Sequence, residues 1–246
     1  MNPKISILTT VYNEEKYISE TIKSVLEQTF KDFEYIIIDD GSIDKTKEII
    51  ESFKDKRIKY YYVGENKGYY NIHNAINFGL DKCKGKYIAR VDADDVCYLN
   101  RLEIQYNYLE KYKKIFLIGG SAIVINDNGL YAKEIKKKSY PSILYKYYMA
   151  ISNSFIHSTI MFRNESYLYP SFNEHMFYCW LTYKGKRLRN ISNFLIKYRD
   201  NPYGVVAKHG GKTRWNQHLE NVMNVIINHL LWKIILKKRN VKSVVD

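Results

Sequence analysis

At 246 residues and 29.3 kDa the chain is long enough for one large domain with a full core, or for a domain with an appended subdomain. With 46% hydrophobic and 26% charged residues, 12 Gly and 4 Pro, it is not disordered, collagenous, coiled-coil or a low-complexity linker. The net charge of +13 sits wholly in residues 121–246, which hold 20 Lys/Arg against 7 Asp/Glu, whereas residues 1–120 hold 19 of each.

The first half alternates strand and helix. Ile5–Thr10 is a short β run, and 14–30 carries Ile18, Ile22, Val25 and Leu26 at helical spacing. Glu34–Asp39, with three successive isoleucines, predicts a strand buried on both faces. Ser42 is placed to cap a helix with Ile49, Ile50 and Phe53 inward. A strand over 58–63, a helix over 72–80, a strand over 87–91, a helix over about 100–113 and a strand over 116–125 complete the alternation. Beyond residue 120 the period changes. Asp127-Asn128-Gly129 marks a turn between two strand-like pieces. A strand is expected over 155–162, a helix over 174–183, a strand over 188–198 and a long basic helix over 213–238.

Repeated β-α units with short connections predict an α/β fold: a mostly parallel sheet flanked by helices, its ligand outside the carboxyl ends of the strands. Polar and acidic residues gather at four such ends: Thr9–Asn13, Asp39–Ser42, Gly64–Gly68 and Asp92–Asp95. The last, Asp92-Ala93-Asp94-Asp95, sets three carboxylates within four residues, which repel unless a cation or hydrogen-bond donors compensate. Hard oxygen ligands of this kind suit Mn²⁺ or Mg²⁺; the alternative is a helix N-terminus using Asp as its cap.

Thr10-Val11-Tyr12-Asn13-Glu14, Asp39-Asp40-Gly41-Ser42, Asn66-Lys67-Gly68 and Asp92-Ala93-Asp94-Asp95 occur in this order, each after a strand. Together they resemble glycosyltransferase family 2, the inverting enzymes of GT-A fold, over roughly residues 3–130 and more weakly to about 200. The resemblance implies a GT-A, Rossmann-like sheet with a smaller acceptor-side region. It implies that Thr10 and Asp40 hold the nucleoside of a UDP-sugar, that Asp94 bonds a divalent metal bridging the diphosphate, and that Asp92 lies nearer the sugar or ribose. Tyr12, Asn13 and Asn74 join the donor-binding set. His157, in Ile156-His157-Ser158-Thr159, matches a segment lining the sugar pocket. His73 stands where the family commonly has Arg.

The family's general base is an Asp ahead of a Trp-containing helix. Here that stretch reads Glu174-His175-Met176-Phe177-Tyr178-Cys179-Trp180, so Glu174 and His175 are the candidate catalytic residues. The expected organisation is a donor-binding region over 1–125, an acceptor-side region over 126–210 and a basic amphipathic helix over 211–246.

Two further readings stay open. One is a nucleotide-sugar-binding protein that lacks the base and is catalytically silent. The other is a nucleic-acid binder, prompted by the basic second half and 24 Tyr, though the chain carries no nucleic-acid motif. The basic half equally fits lysine-rich solvated faces, or contact with an anionic membrane alongside a glycan or lipid-linked acceptor. Three scattered cysteines, Cys83, Cys97 and Cys179, no leader-like N-terminus and no long apolar run lead to an expected cytoplasmic or membrane-peripheral location, without secretion.

Overall fold

A computed structural model describes residues 2–64, 72–141, 144–145, 154–165 and 174–201. The expected strand-end motif Asn66-Lys67-Gly68 and the expected C-terminal helix lie outside the described residues.

The described chain builds β1 (Ile5–Val11), α1 (Ile18–Leu26), β2 (Phe33–Asp39), α2 (Thr46–Ser52), β3 (Ile58–Tyr62), α3 (Ile72–Lys82), β4 (Tyr87–Arg90), β5 (Val96–Cys97) and α4 (Arg101–Lys111). It continues with β6 (Ile115–Ile125), β7 (Tyr131–Ile135), a 3-10 turn (His157–Thr159), β8 (Met161–Arg163), α5 (Glu174–Tyr183) and β9 (Arg187–Arg199). The strands form one sheet in the order β3-β2-β1-β4-β8-β6-β9-β5, with β7 on β6. β3, β2, β1 and β4 are parallel; β8 enters antiparallel between β4 and β6.

Alternation of side chains across the pleat makes this a three-layer molecule. In β1, Ile5 and Ile7 face the core under α1, α2 and α4, with Ile18, Ile22, Ile50 and Leu102, while Leu8 faces the other side. In β2, Ile37 joins the first core; Ile36 and Ile38 join the second, with Ala75 and Ile76 of α3 and Phe177 and Leu181 of α5. The three isoleucines are thus shared between two cores, as a strand covered on both faces requires. All seven residues of β2 are buried.

Two local expectations are corrected. Ser42 does not cap α2. That helix starts at Thr46, and the Ser42 hydroxyl instead accepts a hydrogen bond from the Asn13 amide at 3.0 Å. The stretch 155–162 is not one strand. Thr159 Oγ1 donates to the Ile156 carbonyl at 2.7 Å and accepts from the Gly120 amide at 3.1 Å, while Ser158 Oγ accepts from the Asp92 amide at 3.0 Å. Side-chain bonds of this kind compete with a β ladder, so the backbone turns through His157–Thr159 before β8 begins.

Candidate active site

In the order β3-β2-β1-β4 the chain leaves β1 on one side and returns on the other, so the sheet has a switch point between β1 and β4. Crevices outside the carboxyl ends of strands at such points are where α/β sheets take ligands. The parallel register sets Leu8 opposite Arg90 and Val11 opposite Asp39, which brings Thr10, Asp40 and Asp92 to that edge. Asn74, in the first turn of the crossover helix α3, lies toward the same edge.

The loops after β1 and β2 are latched to each other. Asn13 takes φ 53°, a left-handed conformation that Asn tolerates, and its Oδ1 accepts from the Ile43 amide at 2.9 Å. Gly41, at φ 88°, completes the turn. The two aspartates here have different tasks. Asp39 is fully buried and accepts from the Ser42 amide and the Tyr60 hydroxyl, each at 2.8 Å, so it builds the loop. Asp40 is half-buried at the crevice, and burial, followed by the charge of Asp39, pushes its carboxyl up to about 6. Tyr12 is 43% exposed beside it, and Asn13 and Asn74 are exposed.

The loop Asp92–Asp95 is gripped from three sides. Thr21 of α1 donates its hydroxyl to the Ala93 carbonyl at 2.8 Å, and Ser158 of the 3-10 turn accepts from the Asp92 amide. At the end of β9, the Arg199 amide donates to Asp95 Oδ1 at 2.8 Å and its Nε to the Asp94 carbonyl at 3.0 Å. Asn201 Nδ2 donates to Asp94 Oδ2 at 3.2 Å. The Arg199 guanidinium also reaches Glu20 and the carbonyls of Asn126 and Asp127, over the Tyr17 ring.

Asp92 and Asp94 remain half-buried at the crevice, and Asp95 is fully buried. Burial pushes all three carboxyls above the usual carboxylate range. The Asp94 charge adds to this at Asp92 and Asp95; Arg90, with Nη2 3.7 Å from Asp92 Oδ1, pulls the other way, and Asp92 stands at about 6. One oxygen of Asp95 is buried with no hydrogen-bond partner. This is a partly compensated concentration of hard oxygen donors, and its chemistry fits Mn²⁺ or Mg²⁺. Among the described residues no three His, Cys, Asp or Glu side chains converge as a closed metal cage. Asp92 and Asp94 would therefore leave further coordination positions to other oxygens, such as those of phosphate.

His157 lies behind this wall. It is 8% exposed; Arg90 Nε donates to its Nε2 at 3.1 Å, and its Nδ1 lies 3.0 Å from the Tyr178 hydroxyl. A guanidinium only donates, so Nε2 accepts and Nδ1 carries the proton given to Tyr178. Burial, reinforced by the Arg90 charge, holds the imidazole well below its usual range and hence neutral. Arg90 also donates to the Leu8 carbonyl at 3.1 Å and to Thr10 Oγ1 at 3.4 Å. Glu174 and His175 occupy the first two positions of α5, one helical turn before Tyr178. Sequence reasoning missed Arg90, Ser158, Arg199 and Asn201.

The architecture and the acidic strand ends are those of the GT-A class of nucleotide-dependent folds. Residues 6–171 match Glycosyl transferase family 2, and the chain belongs to that family. It is 31% identical to an uncharacterized glycosyltransferase of Methanocaldococcus jannaschii, over 94% of this chain and 85% of the relative. It is 32% identical to the O-antigen biosynthesis glycosyltransferase WbnJ of Escherichia coli, over 79% of each. Among solved structures, Staphylococcus aureus TarS 1-349 in complex with UDP-GlcNAc superposes with a TM-score of 0.70 at 20% identity, over 92% of this chain and 67% of that one. The mannosyltransferase PcManGT of Pyrobaculum calidifontis, in complex with GDP-Man and Mn²⁺, gives 0.67 at 16% identity, over 93% and 65%. Among the described residues no helix is long and apolar enough to cross a membrane.

Proposed function

We propose that the chain is an inverting glycosyltransferase that moves a sugar from a nucleotide sugar, a UDP-sugar in this reading, to a hydroxyl of a glycan, glycolipid or glycoprotein. The observation that carries this is the meeting of Thr10, Asp40, Asp92 and Asp94 at the switch point of the sheet. The nucleotide sugars bound by the two structural relatives support the donor class. The donor region spans 1–125 and the acceptor side 126–210; the basic stretch 211–246 is the candidate for contact with an anionic membrane.

Asp40 and Thr10 hold the nucleoside, the Asp40 carboxylate accepting the uracil N3–H, a donor that cytosine lacks. Tyr12, Asn13 and Asn74 complete the donor pocket. Asp92 faces the sugar or ribose, and His157 acts from behind by fixing Arg90. Asp94 would hold Mn²⁺ or Mg²⁺, which when bound offsets the charge that builds on the departing diphosphate.

The attacking acceptor hydroxyl needs a base. Glu174 and His175 open α5 and are the candidates for it. Titrating UDP into the protein with and without Mn²⁺ tests the donor half; no binding under either condition overturns it. Glu174→Gln or His175→Ala lowers transfer by about 10²–10⁴-fold with UDP binding retained, the range of one general base. If both variants transfer at the full rate, the base lies elsewhere. If the wild-type chain binds UDP and transfers nothing to any acceptor, the silent-binder reading, motivated by the absent Asp, takes its place.

The Asp40 role also sets a pH dependence. The ionised carboxylate is the stronger acceptor for the N3–H, and its pKa in the free site is about 6. UDP affinity is thus full above that value and falls as pH drops through it, by roughly tenfold per unit at the limit. Affinity measured from pH 7.5 to 5 checks this; a flat profile removes Asp40 from the nucleoside.

A further inference from the structure

Basic residues from both halves of the chain gather in one place. A cavity of about 700 Å³ lies between the end of α4, the start of β6 and the start of β9. Five cationic side chains line it: Lys111, Lys113, Lys114, Arg187 and Arg189. No carboxylate lines it among the described residues. The register sets Ile115 beside Arg187, and Tyr87 beside Arg163, so this is the edge where β4 begins. Asp92 is five residues further along, roughly 16 Å at strand rise, on the opposite edge. The cavity is therefore separate from the donor crevice.

Nearby carboxylates neutralise only one of the five, Lys113. Glu110 is engaged by Lys86, Lys113 and the Tyr87 hydroxyl, and Glu165 by Lys186. Among the described residues Lys111, Lys114, Arg187 and Arg189 make no ion pair. The Arg189 Nε is buried without a hydrogen-bond partner, which is costly for a charged donor.

We propose that this cavity is a second, metal-independent anion site, for a ligand bearing two or more phosphate groups. Arg187 and Arg189 are two apart on β9 and share a face, so their planar forks are set to grip phosphate oxygens together. Lys111 and Lys114 add point charges from the α4 side. The volume lies within the range of ligand pockets, roughly 300–1,000 Å³. The phosphates come either from a soluble polyphosphorylated molecule or from the headgroups of an anionic membrane.

The test uses the full chain with EDTA present, which keeps metal-dependent binding at the donor edge silent. Inorganic pyrophosphate is titrated calorimetrically, and co-flotation is measured with vesicles of phosphatidylcholine alone or mixed with phosphatidylglycerol. Pyrophosphate binding assigns a soluble ligand, and co-flotation only with phosphatidylglycerol assigns the membrane. The double variant Arg187→Gln/Arg189→Gln weakens either at least tenfold, and added salt weakens it further. The Mn²⁺-dependent part of UDP binding stays unchanged and reports that the variant is folded. If that variant does not fold, the exposed pair Lys111→Gln/Lys114→Gln carries the same comparison. The proposal falls if neither probe binds, if the folded variants bind as the wild type does, or if a single-stranded oligonucleotide binds more tightly than both probes.

Discussion

Replacing Asp94 with Asn lowers sugar transfer by about three orders of magnitude while leaving the protein as stable as before, or more so. The two effects have one origin. Asp94 is held at the crevice with its carboxyl above the usual range, by burial first. A carboxylate whose folded pKa is raised binds its proton more tightly in the folded state, so the fold gains as pH falls toward that pKa and pays for the charge at neutral pH. Asn removes the charge, and its carbonyl oxygen still accepts from Asn201, as Asp94 Oδ2 does at 3.2 Å. The melting temperature at pH 7 therefore holds or rises by a few degrees. In the proposed role transfer needs the charge: a divalent ion at a departing phosphate contributes several kcal/mol, and each 1.36 kcal/mol is tenfold in rate. Initial rates of nucleotide release with saturating Mn²⁺, beside thermal melts of the same samples, check both halves. An Asn variant that keeps its full rate takes Asp94 out of the donor site; one that loses rate and stability together makes its role architectural.

The strand bodies and their polar ends were legible for a physical reason. A parallel strand buried on both faces is apolar along its middle, so Tyr35–Ile38 announces itself, and the charged residues that follow it mark the edge where ligands bind. What was not legible depends on distant partners. Ser158 and Thr159 look like strand residues until their hydroxyls find the Asp92 amide and the Ile156 carbonyl. Asp39 and Asp40 are indistinguishable as letters. Only the packing sends one to Tyr60 and Ser42 and leaves the other at the crevice. His157 read as a pocket residue because its neighbours in sequence carry a resemblance, whereas its ring is enclosed by Arg90 and Tyr178, 67 residues before it and 21 after it. Arg199 and Asn201 sit more than a hundred residues from the acidic loop that they hold. A strand ending in Tyr-Arg-Asp-Asn carries no local sign of that task.

Arg199 is accordingly the position where a single truncation costs the fold most at the site. Its side chain is 2% exposed, and its five donors reach α1 through Glu20, the acidic loop through the Asp94 carbonyl, and the β6–β7 turn through the carbonyls of Asn126 and Asp127. Arg199→Ala strips three loops of one shared partner and takes the side-chain donor from the part-buried Asp94 and Asp127 carbonyls, while the Asn126 carbonyl keeps the Gly129 amide. Leaving such a carbonyl without its charged donor costs about 1–3 kcal/mol, which for a chain of this length lowers the melting temperature by roughly 5–10 °C when two are affected. The ion pair itself is the smaller part. Glu20 is 55% exposed, so Glu20→Gln costs no more than about 1 kcal/mol. Lysine supplies the charge without the planar fork and reaches one carbonyl at a time, so Arg199→Lys recovers less than half of the loss. Thermal or urea melts of the three variants decide it. If Arg199→Ala is no worse than Glu20→Gln, the carbonyl contacts contribute little and the acidic loop is held by Thr21 and Ser158. If the lysine variant is fully stable, charge alone suffices. The expected order, Ala well below Lys and Lys below Gln at position 20, means that the acidic loop of the candidate site is held in shape by a residue from the second half of the chain.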